Sequence, residues 1–155
     1  MQRRQIWMGL AASSLLMAAG SVRAQTPHQC PNDEFRGYTV YFLSQAHDVN
    51  EDGLAVILAF ADFYKFYATS TEPCVPQALM TNVTLTGHTD TAGSAEDNLA
   101  LSRRWAEIVA AKLIEAGVPK DIIHVVAVGE SDPAIQTPDN DPEPLNRRVT
   151  IDYEF

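Results

Sequence analysis

The chain is short of basic residues, cysteine and long apolar runs, and each shortage removes a class of function. Eleven Lys and Arg stand against 20 Asp and Glu in 155 residues, a formal net charge of −9. A general binder of nucleic acid or of anionic membrane needs the opposite balance to neutralise phosphates. Any anionic partner must be held by a local cation. No apolar run reaches the roughly 20 residues that span a bilayer. The four histidines, His28, His47, His88 and His124, show no metal-ligand spacing, and no nucleophile elbow is present. His88 lies near Asp90 and Ser94, but neighbours along one strand do not make a catalytic triad. No metal, cofactor or enzymatic activity is expected. With 46% hydrophobic and 20% charged residues, the chain has material for one compact domain and lacks the signature of a disordered protein.

The first residues carry an export signature. Arg3 and Arg4 precede an apolar stretch from Ile6 to Ala19, and Val22 and Ala24 put small residues at the two positions a signal peptidase reads. Residues 1–24 are therefore expected to be a signal peptide, and 25–37, with Pro27, Pro31 and Gly37, a short leader. The competing reading is a retained membrane anchor, but the run is short and is broken by Ser13, Ser14 and Gly20. The arginine pair with Gln5 and Ile6 behind it resembles a twin-arginine export signal, while a general secretory signal needs only the positive charge. Cys30, in His28-Gln29-Cys30-Pro31, does not close an apolar run, so a lipid anchor is not expected. Removing Arg3, Arg4 and Arg23 leaves eight basic residues against 20 acidic, a charge of about −12. Cys30 and Cys74, the only two cysteines, would both enter an oxidising compartment, which favours a disulfide worth about 4 kcal/mol in the chain-entropy model.

Residues 38–155 read as the folded domain. Tyr38 to Leu43, rich in aromatic and β-branched residues, predicts a strand. Asn50 is a helix cap followed by Glu51 and Asp52, and Leu54, Ile57, Leu58 and Ala61 recur at helical spacing to about Ala68. Phe60, Phe63 and Tyr67 lie on a different face, covered either by the segment around Cys74 folding back or by a partner. Val83, Leu85 and Gly87 alternate with Thr84, Thr86 and His88 as a second strand, followed by a turn from Thr89 to Gly93. Ser94 and Asp97 resemble a capping box for a helix carrying Leu101, Trp105, Ile108, Val109 and Leu113, which ends near Gly117 and Pro119. Ile122 to Val128 is a near-continuous apolar run that suggests an interior strand. A proline-rich acidic loop over 132–144 precedes a final strand through Val149, Ile151 and Tyr153. The order βαβαββ predicts an α+β two-layer sandwich of helices on one sheet.

The stretch Thr86-Gly87-His88-Thr89-Asp90, then Gly93, Asn98, Leu101, Ser102, Arg104, Ala106, Val109 and Leu113, then Gly129 to Pro133, and finally Asn146-Arg147-Arg148-Val149 resembles the OmpA-like peptidoglycan-binding domain. That family is shared by outer-membrane protein A, the peptidoglycan-associated lipoprotein and the stator protein MotB. The resemblance implies helices packed on one face of a mixed four-stranded sheet. It also implies non-covalent binding of the diaminopimelate stem peptide of peptidoglycan in the periplasm, in association with the cell wall or outer membrane and with other envelope proteins as further partners.

On this resemblance the expected ligand residues are Thr89, Asp90, Asn98, Leu101, Arg104, Trp105 and Arg148. Asp90 would meet the ligand ammonium; its bland alternative is a cap on the turn that follows. Position 105 departs from the family pattern, which has an arginine for the ligand carboxylate where this chain has Trp105. Trp105 then either lines the site or packs in the core. Gln45, after Leu43 and Ser44, stands in a segment where the family often carries an acid. Asn98 suits the site or a turn backbone equally, and Arg148 a sheet-edge role or ligand contact. The rival function is a protein-interaction module of the same fold that has lost diaminopimelate recognition, with Trp105 and the Phe60, Phe63, Tyr67 face as partner surface.

Overall fold

A computed structural model describes residues 37–44, 46–71 and 79–155. The expected signal peptide, Cys30, Cys74 and Gln45 lie outside these residues. Four strands and two long helices follow one another as β1 (Tyr38–Tyr41), α1 (Glu51–Thr69), β2 (Asn82–His88), α2 (Ala95–Glu115), β3 (Ile123–Gly129) and β4 (Arg148–Glu154). The expected α+β architecture is present. Strand order is β1-β4-β2-β3, with β4 antiparallel to both neighbours and β2 parallel to β3.

Local chemistry sets the helix ends. Asn50 Oδ1 accepts the Gly53 N–H at 2.8 Å, and Glu51 and Asp52 occupy the first turn of α1, where carboxylates favour the helix dipole. At α2, Ser94 Oγ accepts the Asp97 N–H at 3.1 Å and donates its own hydroxyl proton to Asp97 Oδ2 at 2.7 Å. The shorter carboxylate thus takes the capping hydroxyl rather than following the Glu pattern. Beyond α2, Gly117 has φ +100°, and the Gly117 and Val118 amides donate to Ile114 and Leu113 at 3.0 Å each, a Schellman closure that needs a residue without Cβ.

The sheet alternates as its sequence does: Val83, Leu85, Val149 and Ile151 are buried beneath the helices, while Thr84, Thr86 and Thr150 occupy the other face. Two expectations are corrected. The run Ile122 to Val128 forms an edge strand, with Val126 41% exposed, because β4 enters between β1 and β2 and leaves β3 only β2 as a neighbour. Helix α1 buries Gly53, Ile57, Phe60, Ala61 and Tyr67, leaving Leu54 and Leu58 exposed. Its aromatic side faces the sheet because larger rings find partners there: Phe60 on Tyr38, Phe63 on Tyr153 and Tyr67 on Phe155, with centroids 5.2, 5.1 and 5.0 Å apart.

Helix α2 lies directly on β2 at Gly87, where a Cβ would overlap the backbone carbonyl of Ser102. Ser102 Oγ also accepts the Gly129 N–H at 3.1 Å, tying the helix to the end of β3. Gly87→Ala is expected to lower stability by about 1–3 kcal/mol or more, since backbone must move to admit the methyl. Urea denaturation will show a lower midpoint with an unchanged slope.

Candidate functional site

The end of β2, the first turns of α2, the loop after β1 and the start of β4 surround an open cleft of about 410 Å³. Asp90, 7% exposed, forms its floor. Its Oδ2 accepts from Arg147 Nη1 at 2.9 Å, and the two side chains are 9% and 11% exposed. Arg147 also donates from Nε to the Phe42 carbonyl at 3.3 Å, while the Phe42 N–H donates to the Arg147 carbonyl at 2.9 Å. Helix α2 supplies Asp97, Asn98, Leu101 and Arg104 to one wall, and the loop after β1 supplies Ser44 and His47.

The turn that follows Asp90 is held by Thr91 rather than by the Asp90 carboxylate. Thr91 Oγ1 donates to the Pro138 carbonyl at 2.7 Å, and the Asn140 N–H donates to the Thr91 carbonyl at 3.0 Å. Asn146, fully buried, clamps the same long loop through both amide atoms: Nδ2 donates to the Ile135 carbonyl at 2.8 Å and Oδ1 accepts the Ile135 N–H at 2.9 Å. Asn98, 3% exposed, donates from Nδ2 to Glu130 Oε2 at 2.6 Å, which fixes its amide at the cleft.

Of the residues expected at a ligand site, Asp90, Asn98, Leu101 and Arg104 come together around the cleft. Thr89, Trp105 and Arg148 do not. Thr89 is 1% exposed and hydrogen-bonds through its N–H to the Gly129 carbonyl at 2.8 Å, so it closes the β2–β3 junction behind the cleft. Trp105 is completely buried, stacked on Phe42 with ring centroids 4.8 Å apart and planes at 12°, and its Nε1–H donates to the Ala46 carbonyl at 2.9 Å. It is a core residue that anchors the loop bearing Ser44 and His47. Trp105, Phe60 and Tyr67 are buried and Phe63 is half-buried, so these rings are occupied largely within the chain.

Arg148 lies on the other face of the sheet, its Nη2 3.3 Å from the Asp132 carbonyl and 3.9 Å from Asp132 Oδ2. The arginine of this pair that lines the cleft is Arg147, which the expected ligand set omits. The sequence does carry its signal: Val149 and Ile151 point inward, so the alternation of a strand places Arg147 on the helix side and Arg148 opposite. Beside Arg148, His88 is 2% exposed and donates from Nδ1 to the Asp132 carbonyl at 2.9 Å. Burial pushes its imidazole below the usual value, and the bond to Asp132 opposes this in part.

The OmpA family matches residues 72–147. A peptidoglycan-associated lipoprotein of Legionella pneumophila is 44% identical over 72 residues, covering 46% of this chain and 41% of the relative, so this chain spans less than half of that protein. Another peptidoglycan-associated lipoprotein, of Haemophilus influenzae, is 30% identical over 148 residues, covering 94% and 90% of the two chains. The crystal structure of the peptidoglycan-associated lipoprotein from Burkholderia pseudomallei superposes with a TM-score of 0.62 at 27% identity, over 76% of this chain and 90% of that one.

Two outcomes follow from the surroundings of Trp105 and His88. Trp105→Arg removes the stack on Phe42 and places a cation in the core, so a loss of about 3–5 kcal/mol is expected, read as a lower unfolding midpoint. Burial in the folded state disfavours protonation of His88, so its contribution is complete above about pH 6.5, the unfolded value, and declines as pH falls below it, where the unfolded chain takes up a proton that the folded chain resists. Urea titrations at pH 7.5 and 5.5 are expected to show a smaller acid-induced loss of stability in His88→Gln than in the parent.

Proposed function

The chain belongs to the OmpA family, and on that premise we propose that it binds peptidoglycan non-covalently in the cell envelope, through the cleft between Asp90 and Arg104. The observation that carries this reading is the cleft itself, whose floor presents a nearly buried carboxylate paired with Arg147 and whose wall carries Arg104. The free end of a diaminopimelate side chain carries an ammonium and a carboxylate together, and this arrangement offers an acceptor for one and donors for the other. Leu101 supplies apolar surface for the methylene stem between them.

Binding asks little of the protein's shape. The turn after Asp90 is already tied to the loop over 132–144 by Thr91, and Asn146 clamps that loop at Ile135, so the ligand meets an ordered wall and the entropic cost of fitting it is reduced. Asp90 keeps a counter-ion before the ligand arrives, which offsets the cost of holding a carboxylate at 7% exposure. The exported state is part of the proposal: cleavage before Gln25 delivers an acidic domain to the periplasm, with Cys30 and Cys74 joined. Relatives named peptidoglycan-associated lipoproteins support the location and the ligand. No helix among the described residues is long and apolar enough to cross a membrane.

Asp90→Asn keeps the shape of the side chain and an oxygen for Arg147 but removes the charge that meets an ammonium. Sedimentation of the mature protein with purified sacculi is expected to show at least severalfold weaker retention of this variant, given that a hydrogen bond to a charged group is typically worth about 1.5–3 kcal/mol. A thermal melt confirms that the variant is folded. Equal retention of parent and variant would remove Asp90 from the site, and failure of the parent itself to sediment would remove peptidoglycan.

A further inference from the structure

Strand β1 is one edge of the sheet, and a single bond gives the direction of its free backbone groups. The Phe42 N–H donates to the Arg147 carbonyl at 2.9 Å. Bonded pairs alternate along an antiparallel ladder, so Tyr38 and Val40 turn their N–H and C=O groups toward β4 with Phe42, and Thr39 and Tyr41 turn theirs outward. Neither has a backbone partner on that side among the described residues. The strand, Tyr38-Thr39-Val40-Tyr41, carries no proline, charge or bulge that would blunt such an edge. Tyr41 is 47% exposed and Leu43, just beyond it, 66%. Helix α1 comes down on β1 where Gly53 meets Val40, and its first turns overhang the outward side. There Thr39 and Tyr41 line a groove of about 150 Å³ with Asn50, Asp52, Gly53 and Val56, none of which belongs to the cleft.

We propose that this edge is a docking site for an extended segment of a partner protein, which adds to β1 as a fifth strand of the sheet and sets a lysine or arginine against Asp52. The outward N–H and C=O groups of Thr39 and Tyr41 offer ladder bonds to such a segment whatever its sequence. Tyr41 gains a cross-strand neighbour on its uncovered side. Selectivity comes from charge. Asn50 is committed to the Gly53 N–H as the helix cap, which leaves Asp52 as the charged residue lining the groove. Glu51 stands beside it, and neither acid makes an ion pair among the described residues. These carboxylates suit a basic partner rather than a second copy, because pairing β1 with its own image would bring two acidic turns together in a chain of formal net charge −9. The surface is available whether or not the cleft holds peptidoglycan.

The test uses the mature protein, isotope-labelled, and a library of random heptapeptides. Peptides retained on the parent are expected to carry lysine or arginine at one fixed position among β-branched residues. In NMR titrations the selected peptide should shift and protect the Thr39 and Tyr41 amides and leave those around Asp90 in place. Asp52→Lys is expected to weaken that peptide by about tenfold and Asp52→Asn by less, while both variants melt near the parent and are retained on sacculi as it is. Tyr41→Pro, which removes an outward N–H and no bond to β4, should lose the peptide as well. If no peptide with a basic residue is enriched, if Asp52→Lys binds as the parent does, or if the protected amides are not those of Thr39 and Tyr41, the proposal is overturned. If those two amides are already protected in the parent alone, as a monomer or as a dimer, the edge is held by the chain itself or by a second copy, and the proposal is overturned too.

Discussion

The 2.9 Å bond between Arg147 and Asp90 exists because β4 runs between β1 and β2, and much of the cleft depends on that arrangement. Residues 57 positions apart meet because the register sets His88 opposite Arg148 and Tyr41 opposite Arg148, so the ends of β1 and β2 flank the beginning of β4. Arg147 then reaches both: its side chain bonds to Asp90 after β2 and to the Phe42 carbonyl after β1. An ion pair this enclosed contributes less through its own attraction than through the cost of removing one partner. It holds the three strand ends that shape the floor.

Trp105 illustrates how a core can claim a position at the edge of a site. Phe42 and Trp105 stack nearly parallel, and the indole N–H, which would be costly to bury unpaired, is satisfied by the Ala46 carbonyl. The same bond draws the loop after β1 toward α2 and so helps to place Ser44 and His47 along the cleft. Trp105 therefore supplies packing and a loop anchor rather than a polar group for the cleft. The cations of the cleft come instead from α2 at Arg104 and from the start of β4 at Arg147.

Much of the fold was legible along the chain because periodicity and capping act over a few residues. Asn50 and Ser94 start their helices, Gly117 stops the second, and the alternation through Val83, Leu85 and Gly87 and through Val149 and Ile151 marks strands with one buried face. Asp90, Asn98, Leu101 and Arg104, which the resemblance names together, line one cleft. Where local pattern and structure part, the origin is common. The apolar run of β3 suggests an interior strand, the Leu54 stripe of α1 suggests a core face, and the Arg147–Arg148 pair leaves open which arginine lines the cleft. Each depended on which neighbour lay across a face, and that information is not local.

The sequence by itself determined the identity of the elements, their order and the chemical character of the site, because backbone hydrogen bonding, capping and hydrophobic period are properties of nearby residues. Only the tertiary structure decided that α1 packs through Phe60 and Tyr67, that Trp105 belongs to the core, and that Arg147 rather than Arg148 neutralises Asp90. Strand order and register bring these distant groups into contact, and burial then selects among faces that the local pattern leaves equivalent.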